Sequence, residues 1–283
     1  METRSIGNLS IFFEPADQDA AEQIAAACAE SAAFLGDFWG LSAARSLRVY
    51  VTTSWRDLAL RWAPPATRAV LACLSPLWWD RFKKVWTFCA GLTQGTKDRP
   101  AIGIKPPRLL EQTDKTIGER IFVKEPDVHR RLRHAVCHEM VHAFTIPLHL
   151  PMWLNEGVAM VTADRFLQQD TVRQDTLRLL KGRCRRMKPT SYLLLMEMDA
   201  DAIVHHYARG YWITRFLEAT RPAFLRGLVS RRRCARTLHR QIAAELGMSV
   251  PEFRRDIDGI VAAYFEQQIS HRPSAAPEGG DDE

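Results

Sequence analysis

The stretch Cys137-His138-Glu139-Met140-Val141-His142 reads H-E-x-x-H and constrains this chain more than any other. In a helix, residues four apart stand one turn apart on one face. His138 and His142 can therefore grip one ion from the same side. Glu139, rotated off that face, can bring its carboxylate to a water on the ion. The flanking residues predict this helix. Pro126 stops what precedes it, and Asp127 can cap the free backbone N–H groups. Leu132, Ala135, Val136, Glu139, Ala143 and Phe144 recur at spacings of three and four, and Pro147 ends the run.

Catalytic zinc needs a third protein ligand and an open position for water. The third ligand is expected from Pro151-Met152-Trp153-Leu154-Asn155-Glu156-Gly157. A second helix beginning near Trp153 sets Glu156 in its first turn, facing the histidines. Gly157 has no side chain, so these two helices can approach closely there. His134, one turn before His138, and His149, in the intervening loop, are competing ligands. His134 lies too far along the axis to share an ion with both other histidines.

Together the two motifs resemble those of the gluzincin metallopeptidases, in particular the peptidase MA-like families, where H-E-x-x-H is followed by W-L-x-E-G. The resemblance implies a zincin-like fold and one zinc ion held by His138, His142 and Glu156, with Glu139 as general base. Tyr207-Ala208-Arg209-Gly210-Tyr211, leading into an apolar helix, looks like the segment that in several gluzincins supplies a tyrosine to the oxyanion. Tyr207 aligns with that position, and Tyr211, one turn on, is the rival. His205 and His206 stand beside Tyr207, where they could touch substrate. The G-A-M-E-N motif of many gluzincin aminopeptidases is absent, which tilts the expectation toward an endopeptidase. The expected activity is hydrolysis of a peptide or protein substrate. The alternative is a zinc-containing binding module without catalysis, for protein or nucleic acid; an intact Glu139 speaks against it.

Composition sets the outer bounds. The 283 residues can bury a substantial core. No apolar run is long enough to span a bilayer, and the first residues lack the layout of a secretion signal. Cysteines 28, 73, 89, 137, 184 and 234 form no C-x-x-C pair, as expected of free thiols in a reducing cytoplasm. Cys137 turns away from His138 and is read as packing. The net charge is +6, with basic runs at 130–133, 183–186 and 231–233. These runs read as a solvated basic face, because no nucleic-acid fold signature accompanies them.

In chain order, a strand is expected at 9–13, an Ala-rich helix from Asp17 to Phe38 with Gly40 as its stop, and a strand at 47–51. A helix runs from Ser54 through Trp62. The aromatic-rich stretch 69–88 reads as a helix pair building its own core. Residues 91–98 are turn-rich, and 101–105 is a strand ended by Pro106-Pro107. In gluzincins the edge strand before the zinc helix adds the substrate backbone as an extra strand, and 101–105 is the candidate for it. Another strand is expected at 121–123. Helices follow at 153–167, 171–181, 202–219, 221–229, 235–246 and 250–268, with a buried turn at 193–196. Asp164, two turns beyond Glu156, either orients a ligand imidazole or faces solvent. The whole predicts an α+β fold: an α/β lobe over 1–150 with the active-site helix, then a mainly helical lobe over 151–270. These form one domain, with a disordered tail from 271.

Overall fold

The computed structural model describes residues 1–42, 46–52, 54–63, 68, 72–73, 83, 86–87, 89–117, 123–182, 198–231 and 235–271. The fold is α+β, with a small mixed five-stranded sheet and a helical C-terminal part. The strands are β1 (Glu2–Ile6), β2 (Leu9–Phe13), β3 (Leu47–Val51), β4 (Gly91–Thr96) and β5 (Arg99–Ile104). Their order across the sheet is β1-β2-β3-β5-β4. β2, β3 and β5 run parallel, and each edge is an antiparallel hairpin partner. Helix α1 (Gln18–Trp39) crosses from β2 to β3, as a parallel connection requires. It ends at Gly40, which is left-handed at φ 69°.

Alternation along the strands sorts the two faces. Ile11, Val49 and Ile102 are register partners and join the main core. There they pack with α1 and with α4 (Val128–Thr145), the helix that carries H-E-x-x-H. Thr93 of β4 pairs with Ile102 and so continues the same row. The opposite row holds Phe12 and Tyr50, whose rings stack at 4.8 Å, and Leu92. Leu58, on α2 (Trp55–Trp62), covers it.

Two expectations about this sheet are corrected. Strand 101–105 is not the edge: β5 lies between β3 and β4. The edge beside α4 is β4, in the stretch read as turns. Its small residues weaken the strand signal, but a two-residue turn at Lys97-Asp98 folds it back onto β5, which supplies its hydrogen bonds. Pro107 likewise does more than stop a strand. It opens α3 (Pro107–Ile117), where a missing N–H costs nothing. The buried Lys105 ties this corner, donating to Trp86 O at 2.6 Å and Thr113 Oγ1 at 3.0 Å.

After α4 come α5 (Met152–Leu167), the short α6 (Arg178–Gly182), α7 (Ala200–Thr220), α8 (Pro222–Val229), α9 (Ala235–Glu245) and α10 (Val250–Ser270). Asp199 caps α7, and Ser249 with Glu252 forms a capping box on α10. The helix expected over 171–181 is shorter. Val172 bridges Val123, and a 3-10 turn, Gln174–Leu177, precedes α6. Most of 69–88, residues 121–122, 193–196 and the tail from 272 lie outside the described residues. Among those described, no helix is long and apolar enough to cross a membrane.

Gly157 corrects a third expectation. Its bare face meets α7 rather than α4. A Cβ there would fall 2.1 Å from Thr214 Oγ1 and 2.2 Å from the Gly210 carbonyl oxygen. Gly210 answers it, its own missing Cβ leaving room for the Trp153 carbonyl. Two facing glycines bring α5 and α7 into backbone contact directly behind Glu156.

Candidate metal centre

Asp127 starts α4 as its spacing predicts, accepting from the backbone N–H groups of His129 and Arg130 at 2.7 and 3.1 Å. The helix then presents His138 and His142 one turn apart, their Nε2 atoms 3.0 Å from each other. A 3-10 turn over Ile146–Leu148 and left-handed His149 reverse the chain into α5. Glu156 returns with Oε2 at 3.3 Å from each Nε2. The three ligand atoms meet at one point and could hold a metal ion. His149 is exposed in the reversing turn and stands outside this group.

The charges belong together. Burial resists a carboxylate at Glu156, which is 2% exposed, yet the two imidazoles hold its proton affinity well below the usual range. Burial also resists an imidazolium at His142, and Glu156 overcomes that and pushes His142 up. Asn155, next in the chain, favours the same charge on His142. Its Oδ1 lies 2.7 Å from the Thr145 hydroxyl at the end of α4. The site thus favours positive charge between these three side chains.

Glu139 is buried beside them. Its Oε2 accepts from Thr93 Oγ1 at 2.6 Å. A Cβ on Gly91 would lie 2.7 Å from the Glu139 Cγ. Neither β4 residue was expected at the site. The available signal was the run of small residues at every second position, Gly91, Thr93 and Gly95, bracketing Leu92 and Gln94.

His134 is a buried neighbour of the site. Its Nε2 lies 3.2 Å from Thr171 Oγ1, which sits 2.5 Å from Asp164 Oδ1. Tyr211 OH donates to Asp164 Oδ2 at 2.8 Å. The Thr171 proton points to the carboxylate, so the threonine oxygen accepts from His134 Nε2–H, which fixes that tautomer. Burial, and secondarily His138, pushes His134 down to about 3, so this imidazole stays neutral. Asp164 is therefore not the solvated aspartate of one expectation. It is fully buried and reaches His134 through Thr171, not a ligand imidazole directly.

The two tyrosines separate. The Tyr211 hydroxyl is bound to Asp164, and the residue is 1% exposed. Tyr207 is half-buried against Met152 and Ile203, edge-on to His206 at 6.3 Å. Burial pushes His206 down to about 4, while the Glu156 charge pulls the other way, so His206 lies within electrostatic reach of the site. Cys137 is fully buried, as expected of packing, and its thiol is pushed up to about 12 by burial.

The basic run on α4 is largely neutralised from within. Arg130 bonds to Glu125, and Arg133 pairs with Glu30 and lies over the Phe166 ring. Residues 183–186 and 232–233 lie outside the described set. No protein-family model and no curated protein matches this chain.

Proposed function

We propose that this protein is a zinc-dependent peptidase of the gluzincin type, with His138, His142 and Glu156 as ligands and Glu139 as general base. One observation carries the reading. The three ligand atoms are separated by 3.0, 3.3 and 3.3 Å. Zinc bonds of about 2.0–2.1 Å at tetrahedral angles separate neighbouring ligand atoms by roughly 3.3 Å. The spacing therefore suits a zinc ion that these three side chains would hold. Two neutral imidazoles and one carboxylate are also the donor set that leaves zinc net positive.

Zinc bound there would supply a Lewis acid and lower the pKa of water to about 7. Glu139 takes the proton from the attacking water and hands it to the leaving amine. Its neighbours on α4 hold it beside the ligands without making it one. Tyr207 is the proposed donor to the oxyanion, a contribution worth about 3 kcal/mol of barrier; its rival Tyr211 is committed to Asp164. The substrate backbone adds along the outer edge of β4, where no described strand pairs and where Thr93 already touches Glu139.

The test is hydrolysis of an unfolded protein or a peptide library, with and without chelator, beside metal analysis. Wild type should bind one zinc and cleave, Glu139→Gln should keep zinc and lose cleavage, and Glu156→Ala should lose zinc. Full activity in Glu139→Gln removes Glu139 from the mechanism. Binding that survives chelation, with no cleavage by wild type, replaces the peptidase with a binding module.

A further inference from the structure

We infer that Thr93 is a positioning residue for Glu139, and that β4 serves as the seat of the general base as well as an edge for substrate. The inference rests on the reading of Glu139 as the base, but its geometry stands independently. Register places Thr93 at the end of the Ile11–Val49–Ile102 row, on the sheet face that α4 covers. Its hydroxyl lies 2.6 Å from Glu139 Oε2 and 3.0 Å from the Glu139 backbone carbonyl. A hydroxyl carries one proton, and the shorter contact to a carboxylate is the stronger, charge-assisted bond. Two residues back on the same face, Gly91 offers the space that the Glu139 Cγ fills, 2.7 Å from where a Cβ would stand. One position clears room for the side chain and the next grips its tip.

The consequence is directional. With Oε2 held by Thr93, the other oxygen, Oε1, is the one left to take a proton from water. A glutamate has three rotatable side-chain bonds, so an ungripped carboxylate samples orientations in which neither oxygen faces the ligands. Misplacing a reacting group by about 1 Å costs on the order of 100-fold in rate. During the transfer Thr93 keeps its own proton, and its bond to Oε2 persists as the carboxylate becomes a carboxylic acid.

Two readouts on the full chain decide the matter. In the first, urea midpoints are measured for wild type, Thr93→Val, Glu139→Ala and the double variant. Thr93→Val should lower the midpoint in wild type and by less than half as much in the Glu139→Ala background; equal shifts in both overturn the contact. In the second, zinc-loaded protein cleaves a peptide substrate. Thr93→Val should lower kcat roughly 10- to 100-fold, with zinc content and KM within about twofold, and Thr93→Ser, which keeps the hydroxyl, should recover kcat to within about threefold of wild type. Unchanged kcat in Thr93→Val overturns the inference, and so does a loss that serine fails to rescue. If wild type cleaves nothing, the peptidase reading falls, and the urea midpoints alone decide whether Thr93 holds Glu139.

Discussion

The Tyr211 hydroxyl donates to Asp164 Oδ2 across 2.8 Å, inside a core that leaves Asp164 no exposed surface. Together with Thr171 and His134, this bond links α4, α5 and α7, the three helices around the site. Tyr211→Phe keeps the ring and removes the donor, leaving a buried carboxylate oxygen short of a partner. The expected loss is about 1–3 kcal/mol of folding stability, read by urea denaturation. Because Tyr211 bonds to Asp164 and not to His138, His142 or Glu156, any metal content should be unchanged.

Asp164 also imposes a pH dependence. Burial pushes its carboxyl up to about 6, against the Thr171 and Tyr211 donors. Its proton is held more tightly in the folded chain than in the unfolded one. The resulting stability is therefore complete below the ordinary aspartate value near 4 and is lost as pH rises through about 6. Asp164→Asn does not titrate. The stability difference between wild type and this variant should move by roughly 2–3 kcal/mol from about pH 4 to about pH 7, in favour of the variant. A constant difference, measured by denaturation at several pH values, contradicts this.

Gly157→Ala should damage the site through its rear wall. The added methyl would lie 2.2 Å from the Gly210 carbonyl oxygen and 2.1 Å from the Thr214 hydroxyl, far inside normal contact, and the Gly210 backbone cannot rotate out of the way. Overpacking of this kind costs about 1–3 kcal/mol or more. The strain falls one residue from Glu156, so zinc affinity, read by competition with a chelator, should drop along with the melting temperature.

Two ion pairs should respond to truncation with very different losses. Arg209 Nε lies 2.8 and 2.9 Å from the two Asp258 oxygens, and both side chains are buried. Asp258→Ala leaves the guanidinium buried without its counter-ion, at a cost of about 3–5 kcal/mol. Arg133 and Glu30 form an exposed pair at 2.6 Å. Glu30→Ala should cost under about 1 kcal/mol. Thermal melts of the two variants side by side check the contrast.

The sequence alone placed the α+β class, the capped helix under H-E-x-x-H, the return of Glu156 and the order of the later helices. Each rests on information within a few residues: a four-residue spacing, a capping aspartate, a proline stop, an apolar period. Helices form from bonds between near neighbours, so local spacing fixes which side chains share a face. Tertiary structure decided what those faces meet. It made β4 the edge and buried β5. It turned Gly157 toward α7 and drew Asp164 into the core. It set Thr93 against Glu139, 46 residues away. These outcomes depend on which surfaces bury one another across the chain, and a strand of small residues such as β4 gains its hydrogen bonds and its role only from the partner it lies beside.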